Sequence, residues 1–238
     1  MAPAFSLPRR TPDEEEKPFW ISFADLMSAL MVLFLVVMSA ALISVTKKIS
    51  DKETEAEQHE RDITTIVQRL GEAAVRFDGI TVNGQRRVID FGDRARFALN
   101  SSELDAEQRQ RLRSFVPEIL AIADSPLGRK VLKRIVVEGF TDKTGKYLEN
   151  LNLSLQRSER VLCAMFEAPF ADEQPFSPEQ RRQIQELFLV GGFSSNAAKS
   201  TDEESRRVEM RLEFLALGES RSAPGATYGE DLGKCLLP

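Results

Sequence analysis

Histidine is almost missing from these 238 residues, with His59 the only one. Only two cysteines are present, Cys163 and Cys235. This poverty leaves no metal-ligand cluster and no nucleophile with a supporting base, so hydrolytic chemistry is set aside and neither metal nor cofactor is expected. A basic excess is also missing. The net charge is -5, whereas a surface that binds phosphates is normally basic, so nucleic acid is not the expected partner. Charge of either sign is missing from residues 26–46. That uncharged run of 21 residues measures about 31 Å as a helix, enough to cross a hydrocarbon core. Its length exceeds the roughly 7–15 apolar residues of a cleaved signal peptide, and Ser39-Ala40-Ala41, which loosely resembles a cleavage site, lies inside it. A charge asymmetry across the run is lacking as well: Arg9, Arg10 and Lys17 precede it and Lys47, Lys48 and Lys52 follow, so basic residues do not orient it.

What is there begins with Asp25, the one charge between Lys17 and Lys47. A carboxylate in a membrane span costs roughly 2.5–3.5 kcal/mol at mid-helix, and its default reading is ion or proton handling beside a partner or a hydrated path. At 100° per residue, Ser28, Ala29, Val32, Val36 and Ser39 share its side of the helix, and such small or hydroxyl residues allow close approach of neighbouring helices. Bulkier Leu30, Phe34 and Val37 lie opposite. One helix makes no channel, so Asp25 predicts helices from another subunit. The plainer alternative is an interfacial aspartate reaching water at the end of the span.

Residues 1–17 read as a solvated tail with Pro3, Pro8, Pro12 and the run Asp13-Glu14-Glu15-Glu16. A span over 18–46 follows, then a juxtamembrane helix over 47–79. There Ile49, Ile63, Ile66, Val67, Leu70, Ala74 and Phe77 recur at near-helical spacing, a stripe suited to self-association. His59 lies in its polar part and reads as an exposed side chain. Ile80-Thr81-Val82 and Arg87-Val88-Ile89-Asp90-Phe91 flank Asn83-Gly84, a hairpin signal. Helices are expected near 105–123, 151–168 and 179–187, and strands at 135–139, 188–192 and 207–214. This mixed order predicts a membrane-anchored α+β protein whose 80–215 domain is a mixed sheet covered by helices on one face. Residues 216–238 form a tail rich in Gly, Ser, Ala and Pro.

Two segments carry resemblances. Phe23-Ala24-Asp25-Leu26-Met27-Ser28-Ala29-Leu30-Met31, with Trp20 upstream, resembles the transmembrane helix of the B subunits of ion-driven stators, of which flagellar MotB is a member. That resemblance implies that Asp25 binds and releases the driving ion. Glu138-Gly139-Phe140-Thr141-Asp142, Asn150-Leu151-Asn152-Leu153-Ser154-Leu155-Gln156-Arg157 and Arg206-Arg207-Val208-Glu209 are together similar to the OmpA-like peptidoglycan-binding domain, over residues 80–215. This likeness implies that Asp142 and Arg157 hold the diaminopimelate of the peptide stem. An aspartate can accept from its ammonium, and an arginine can form a two-pronged bond to its carboxylate. It also implies that Thr141 and Asn150 line the same groove and that Leu99 and Asn100 approach it on a loop. Ser158 replaces the family's usual alanine, and the 169–187 insertion is longer than in minimal members. The competing reading makes Asp142 a turn cap and Arg157 an ordinary ion-pair partner.

Wall binding implies an inner-membrane protein with a cytoplasmic N-terminus and a periplasmic C-terminal domain. That compartment permits a Cys163–Cys235 bridge; a buried thiol and a tail thiol are the other reading. Within the stator family, the string from Pro18 to Met27 and the apolar run after it look most like the B subunits of Zorya anti-phage systems. The separation of span and wall domain, about 33 helical residues with roughly 50 Å of reach, fits that reading better than the long linker of flagellar B subunits. The implied partners are a homodimeric second copy, a ring of five ZorA-like polytopic membrane subunits, peptidoglycan and, indirectly, cytoplasmic defence effectors. The implied ion is a proton. A flagellar stator B subunit and a passive wall tether are the alternatives.

Overall fold

The structure, a computed structural model, describes residues 13–167, 174–221 and 233–235, with side chains from residue 20 onward except at 94. The start of the expected tail, the start of the insertion and most of 222–238 lie outside the described residues. The chain divides into two units, Met1–Ala56 and Glu57–Pro238.

The first unit is helical throughout its described part. Helix α1 runs Asp13–Ala74, so it begins five residues before Pro18 rather than at it. From Trp20 to Val45 the large apolar side chains are exposed, and the helix is long and apolar enough to cross a membrane. The hydroxyls are satisfied within the helix itself: Ser28 donates to the Ala24 carbonyl at 2.8 Å, Ser39 to Leu35 at 2.8 Å and Thr46 to Leu42 at 2.9 Å.

The second unit begins with the end of α1. Ile63, Ile66, Val67, Leu70, Ala73 and Ala74 are buried in its hydrophobic core. From Ile63 onward the stripe expected to serve self-association is therefore spent on the domain's own core, whereas Ile49 is exposed, and the second compact unit starts at Glu57. Local polar contacts keep the helix there. The His59 ring nitrogen Nε2 lies 2.9 Å from the Leu215 carbonyl oxygen. Lys130 donates to Asp62 at 2.6 Å.

Beyond α1 come β1 (Thr81–Asn83), β2 (Val88–Asp90) and a 3-10 turn at Gly92–Ala95. Then follow α2 (Ala106–Asp124), α3 (Pro126–Val131), β3 (Leu132–Gly139), α4 (Tyr147–Phe166), α5 (Pro178–Leu187), β4 (Phe188–Gly192), α6 (Asp202–Ser205) and β5 (Val208–Phe214). The strands form one sheet in the order β1-β2-β5-β3-β4. β3 and β4 are parallel and the other pairs antiparallel. Alternation puts Ile135 and Val137 of β3, and Val208, Met210 and Leu212 of β5, into the core. Phe115, Val116 and Ile119 of α2, Val161 and Met165 of α4, and Ile184 of α5 share that core.

Local chemistry explains most boundaries. Asp105 and Gln108 form a reciprocal capping box at the start of α2, and Ser177 and Gln180 form another at α5. The hairpin loop is longer than Asn83-Gly84 predicts, because Asn83 pairs with Val88 and four residues connect them. The Asn83 carboxamide oxygen accepts the Arg86 N–H at 2.9 Å, and the positive φ of 53° falls on Arg87. Helix α4 starts at Tyr147, four residues before the expected start, which brings Asn150 into its first turn.

Opposite the core the sheet carries a lattice of ion pairs. Arg211 grips the buried Glu138 carboxylate with two bonds, at 2.5 and 2.8 Å. Glu209 receives Arg207 at 2.7 Å and Arg86 at 2.7 Å. The C-terminal segment folds back beside β3, where Arg221 donates to the Leu132 and Gly128 carbonyls. Cys163 of α4 and Cys235 are joined by a disulfide, with Cα atoms 5.9 Å apart.

Candidate functional site

β3 ends at Gly139 directly against α4. A Cβ at Gly139 would lie 1.8 Å from the Ser154 carbonyl oxygen, so this crossing admits only glycine. The close approach carries the next residues, Phe140, Thr141 and Asp142, across α4 toward Arg157. Thr141 is anchored by its N–H to the Ser194 carbonyl at 3.0 Å. Its hydroxyl is buried and has no hydrogen-bond partner. A buried hydroxyl without a partner is costly in a folded protein.

Asp142 is 4% exposed. Its Oδ1 accepts the Thr144 N–H at 2.9 Å, which makes it the cap of a local turn. Its Oδ2 accepts from Arg206 Nη1 at 3.0 Å. Burial pushes this carboxyl up, but the bonds from Thr144 and Arg206 outweigh burial and hold it below the usual carboxylate range. The turn cap of the plainer reading is thus present, but the ion pair joins Asp142 to Arg206.

Arg157 is 0% exposed. Its guanidinium donates through Nε to Ser101 O at 2.9 Å, through Nη1 to Phe140 O at 2.7 Å and through Nη2 to Ala98 O at 3.2 Å. It stacks over Phe97 with its Cζ 5.0 Å from the ring centroid. Burial lowers its pKa to about 10, against the raising influence of the Asp142 charge, so it stays charged at neutral pH. Three of its five N–H groups are committed to the backbone, leaving one on each terminal nitrogen. The sequence suggests an arginine reaching out to a ligand; the structure makes it the floor of the site, which also pins the 98–101 loop.

Asn150 donates to Thr144 O at 2.9 Å and so closes the loop after Asp142. Leu99 and Asn100 are exposed on the pinned loop, and Asn100 adopts a positive φ of 54°. Thr141, Asp142, Asn150, Arg157 and the 99–100 loop are therefore gathered in one place. The residue missing from the expected set is Arg206. It donates to Asp142, to Phe97 O at 3.1 Å and to Glu203 at 3.2 Å. Its signal was visible as the first arginine of Arg206-Arg207-Val208-Glu209, a string readable from sequence only as strand. In the other unit, Asp25 is exposed on α1. Among the described residues no group of His, Cys, Asp or Glu is placed to hold a metal.

A long helix whose apolar stretch holds one carboxylate, in the same chain as this mixed sheet and buried Asp–Arg cluster, defines a membrane-anchored protein with an OmpA-like domain. Residues 96–207 match the OmpA family, and residues 8–60 match the family described as membrane MotB of the proton-channel complex MotA/MotB. The Zorya protein ZorB of Escherichia coli O139:H28 is 46% identical over 219 residues, covering 92% of this chain and 89% of that protein. The chain belongs to the ZorB family. Among solved structures, the periplasmic domain of MotB aligns at 17% identity and TM-score 0.38, over 54% of this chain and 64% of that one. The cell wall anchor of the type VI secretion system from Pseudomonas aeruginosa aligns at 18% identity and TM-score 0.37, over 60% of this chain and 94% of that one.

Proposed function

We propose that this chain is the wall-anchored B subunit of an ion-driven rotary motor of the inner membrane that acts in anti-phage defence. The observation that carries the reading is Asp25: one carboxylate, exposed on a helix with 21 uncharged residues after it. A passive tether would leave that carboxylate without a purpose, since it only weakens insertion. Membership of the ZorB family supplies the defence context. The chain is a motor subunit and not an enzyme.

In this reading the N-terminus is cytoplasmic and the folded unit periplasmic, where the Cys163–Cys235 bridge is chemically at home. Two copies sit within a ring of five ZorA-like membrane subunits. A proton entering from the periplasm neutralises Asp25, and the uncharged helix face moves against the surrounding ring. Release to the cytoplasm restores the charge. The wall site holds the chain still, so the ring turns and its motion reaches cytoplasmic effectors. At that site Asp142 accepts the ammonium of a diaminopimelate side chain, the Thr141 hydroxyl offers a further bond, and the two remaining N–H groups of Arg157 face the carboxylate. Asn150, Leu99 and Asn100 shape the groove.

Asp25→Asn keeps size and polarity but cannot exchange a proton. Phage protection by cells carrying this variant should vanish while the variant still co-purifies with its membrane partner. Undiminished protection would end the motor reading. Separately, Asp142→Ala in the full chain should no longer sediment with purified sacculi, and normal sedimentation would end the wall-site assignment.

A further inference from the structure

We propose that Arg206 is a built-in stand-in for the ligand's ammonium: it occupies Asp142 while the groove is empty and swings onto Glu203 when a peptide-stem ammonium arrives. The inference rests on the wall-binding reading of Asp142 and adds a residue that tunes affinity and specificity there.

The geometry of one carboxylate supports it. Asp142 Oδ1 is fixed by the Thr144 N–H, so Oδ2 is the oxygen left to meet an incoming cation, and it is Oδ2 that Arg206 holds at 3.0 Å. A cationic ligand at Asp142 must therefore share with or displace Arg206. Arg157 cannot fill the same role, because three carbonyls hold it in place. Arg206 has somewhere to go. Its Nη2 already touches Glu203 at 3.2 Å, and that carboxylate is mostly solvent-exposed, 64% at the side chain. Its Nε keeps the Phe97 carbonyl. Rotation about the end of the side chain would move the guanidinium from a shared position to a full pairing with Glu203, without leaving a charge unpaired. The backbone need not move, because Phe97 N–H to Arg206 O at 2.8 Å holds the two segments together independently of the side chain.

The stand-in has two physical consequences. With Arg206 present, the buried Asp142 is ionised and neutralised before any ligand binds, so the groove does not collapse around a protonated acid. A lone amine breaks one charge-assisted bond to make another and gains little. A ligand carrying both ammonium and carboxylate gains a second such bond, on Arg157, and is selected for that reason. The charged groups facing Asp142 are Arg206 from the segment leading into β5 and Arg157 from α4; Glu203 of α6 faces Arg206.

The test uses the full-length chain in detergent and the tripeptide L-Ala-D-Glu-meso-diaminopimelate, with titration calorimetry from pH 4 to 8. Arg206→Gln should bind about three- to tenfold tighter than wild type at pH 7.5, because the competent state no longer has to be freed. Its acid limb should move up by about one pH unit, because Asp142 loses a cation that favours its ionised form. Arg206→Lys should change affinity in the same direction by less. Glu203→Gln should bind about two- to threefold weaker, since Arg206 loses its second home, and the same change in an Arg206→Gln background should do nothing. Arg206→Gln binding tenfold weaker than wild type would make Arg206 a direct ligand contact and overturn the proposal, as would a Glu203→Gln effect that persists without Arg206. Asp142→Ala separates the two layers: if it still binds the tripeptide, the wall reading fails; if it does not bind while Arg206→Gln weakens binding, only the stand-in fails.

Discussion

Two aspartates carry the proposed chemistry of this chain, and they are embedded in opposite ways. Asp25 lies on a bare helix, exposed, with a neighbour hydroxyl, Ser28, that bonds back to the Ala24 carbonyl instead of to it. Asp142 lies in a folded unit, almost fully buried, with one oxygen on Thr144 and the other on Arg206. The first acid awaits its environment from other chains; the second receives its environment from this one. An anchoring group benefits from being preorganised, because its charge must not change.

The contrast is sharpest at Arg157. Replacing it with Ala should destabilise the folded unit by about 3–5 kcal/mol, because three backbone carbonyls and the Phe97 face lose a buried charged partner at once. Denaturant titration of the full chain measures this, and a loss under about 1 kcal/mol would make Arg157 a surface ligand and not the floor of the site. Next in size is the disulfide. Cys163→Ser should cost about 2–4 kcal/mol on the chain-entropy view of a loop with a sequence separation of 72. The lower end applies to the extent that Arg221 and Glu219 still hold the C-terminal segment against Leu132 and Lys133. Comparing melts with and without reductant reads the same quantity.

Acid comes third. The carboxyls of Asp142, Asp90 and Asp62 all lie below their ordinary value in the fold. For Asp142 and Asp90 burial pushes up and hydrogen bonds win; for Asp62 the Lys130 bond leads. Folded values below unfolded ones mean that these groups add stability above the unfolded pKa, about 3.9, and that it is lost as pH falls through the lower folded values. The melting temperature should therefore be nearly flat from pH 7 to 5 and drop below about pH 4, and Asp142→Asn should make that drop shallower. The smallest expected effect is Asp25→Asn, which should leave the melt of the folded unit unchanged within about 0.5 kcal/mol, as nothing in that unit depends on it. A measurable shift would mean that the two aspartates are coupled.

Much of this was legible before folding. The helix expected near 105–123 is α2, opened by the capping box of Asp105 and Gln108, and Arg207–Phe214 alternates strictly. The strings around Gly139, Asn150 and Arg206 place the binding loop even though they are far apart in the chain. The apolar stripe from Ile63 to Ala74 was visible too, but its destination was not. A periodic stripe says that a helix face is buried and is silent on whether a second copy or the same chain covers it. The hairpin loop was misplaced for a similar reason: Asn83-Gly84 favours a turn, yet the Asn83 side chain bonded to Arg86 and moved the left-handed residue to Arg87.

By itself the sequence determined the long uncharged run, the solitary acid at its edge and most of the strand and helix order, because these follow from hydropathy, period and spacing along one dimension; the paired residues came from its likeness to a known family. The tertiary structure alone decided which cation meets Asp142, how deeply Arg157 is sealed, and that the end of α1 belongs to the folded core. Those outcomes depend on which groups compete for the same few ångströms of space, and such competition is set by packing among segments far apart in the chain.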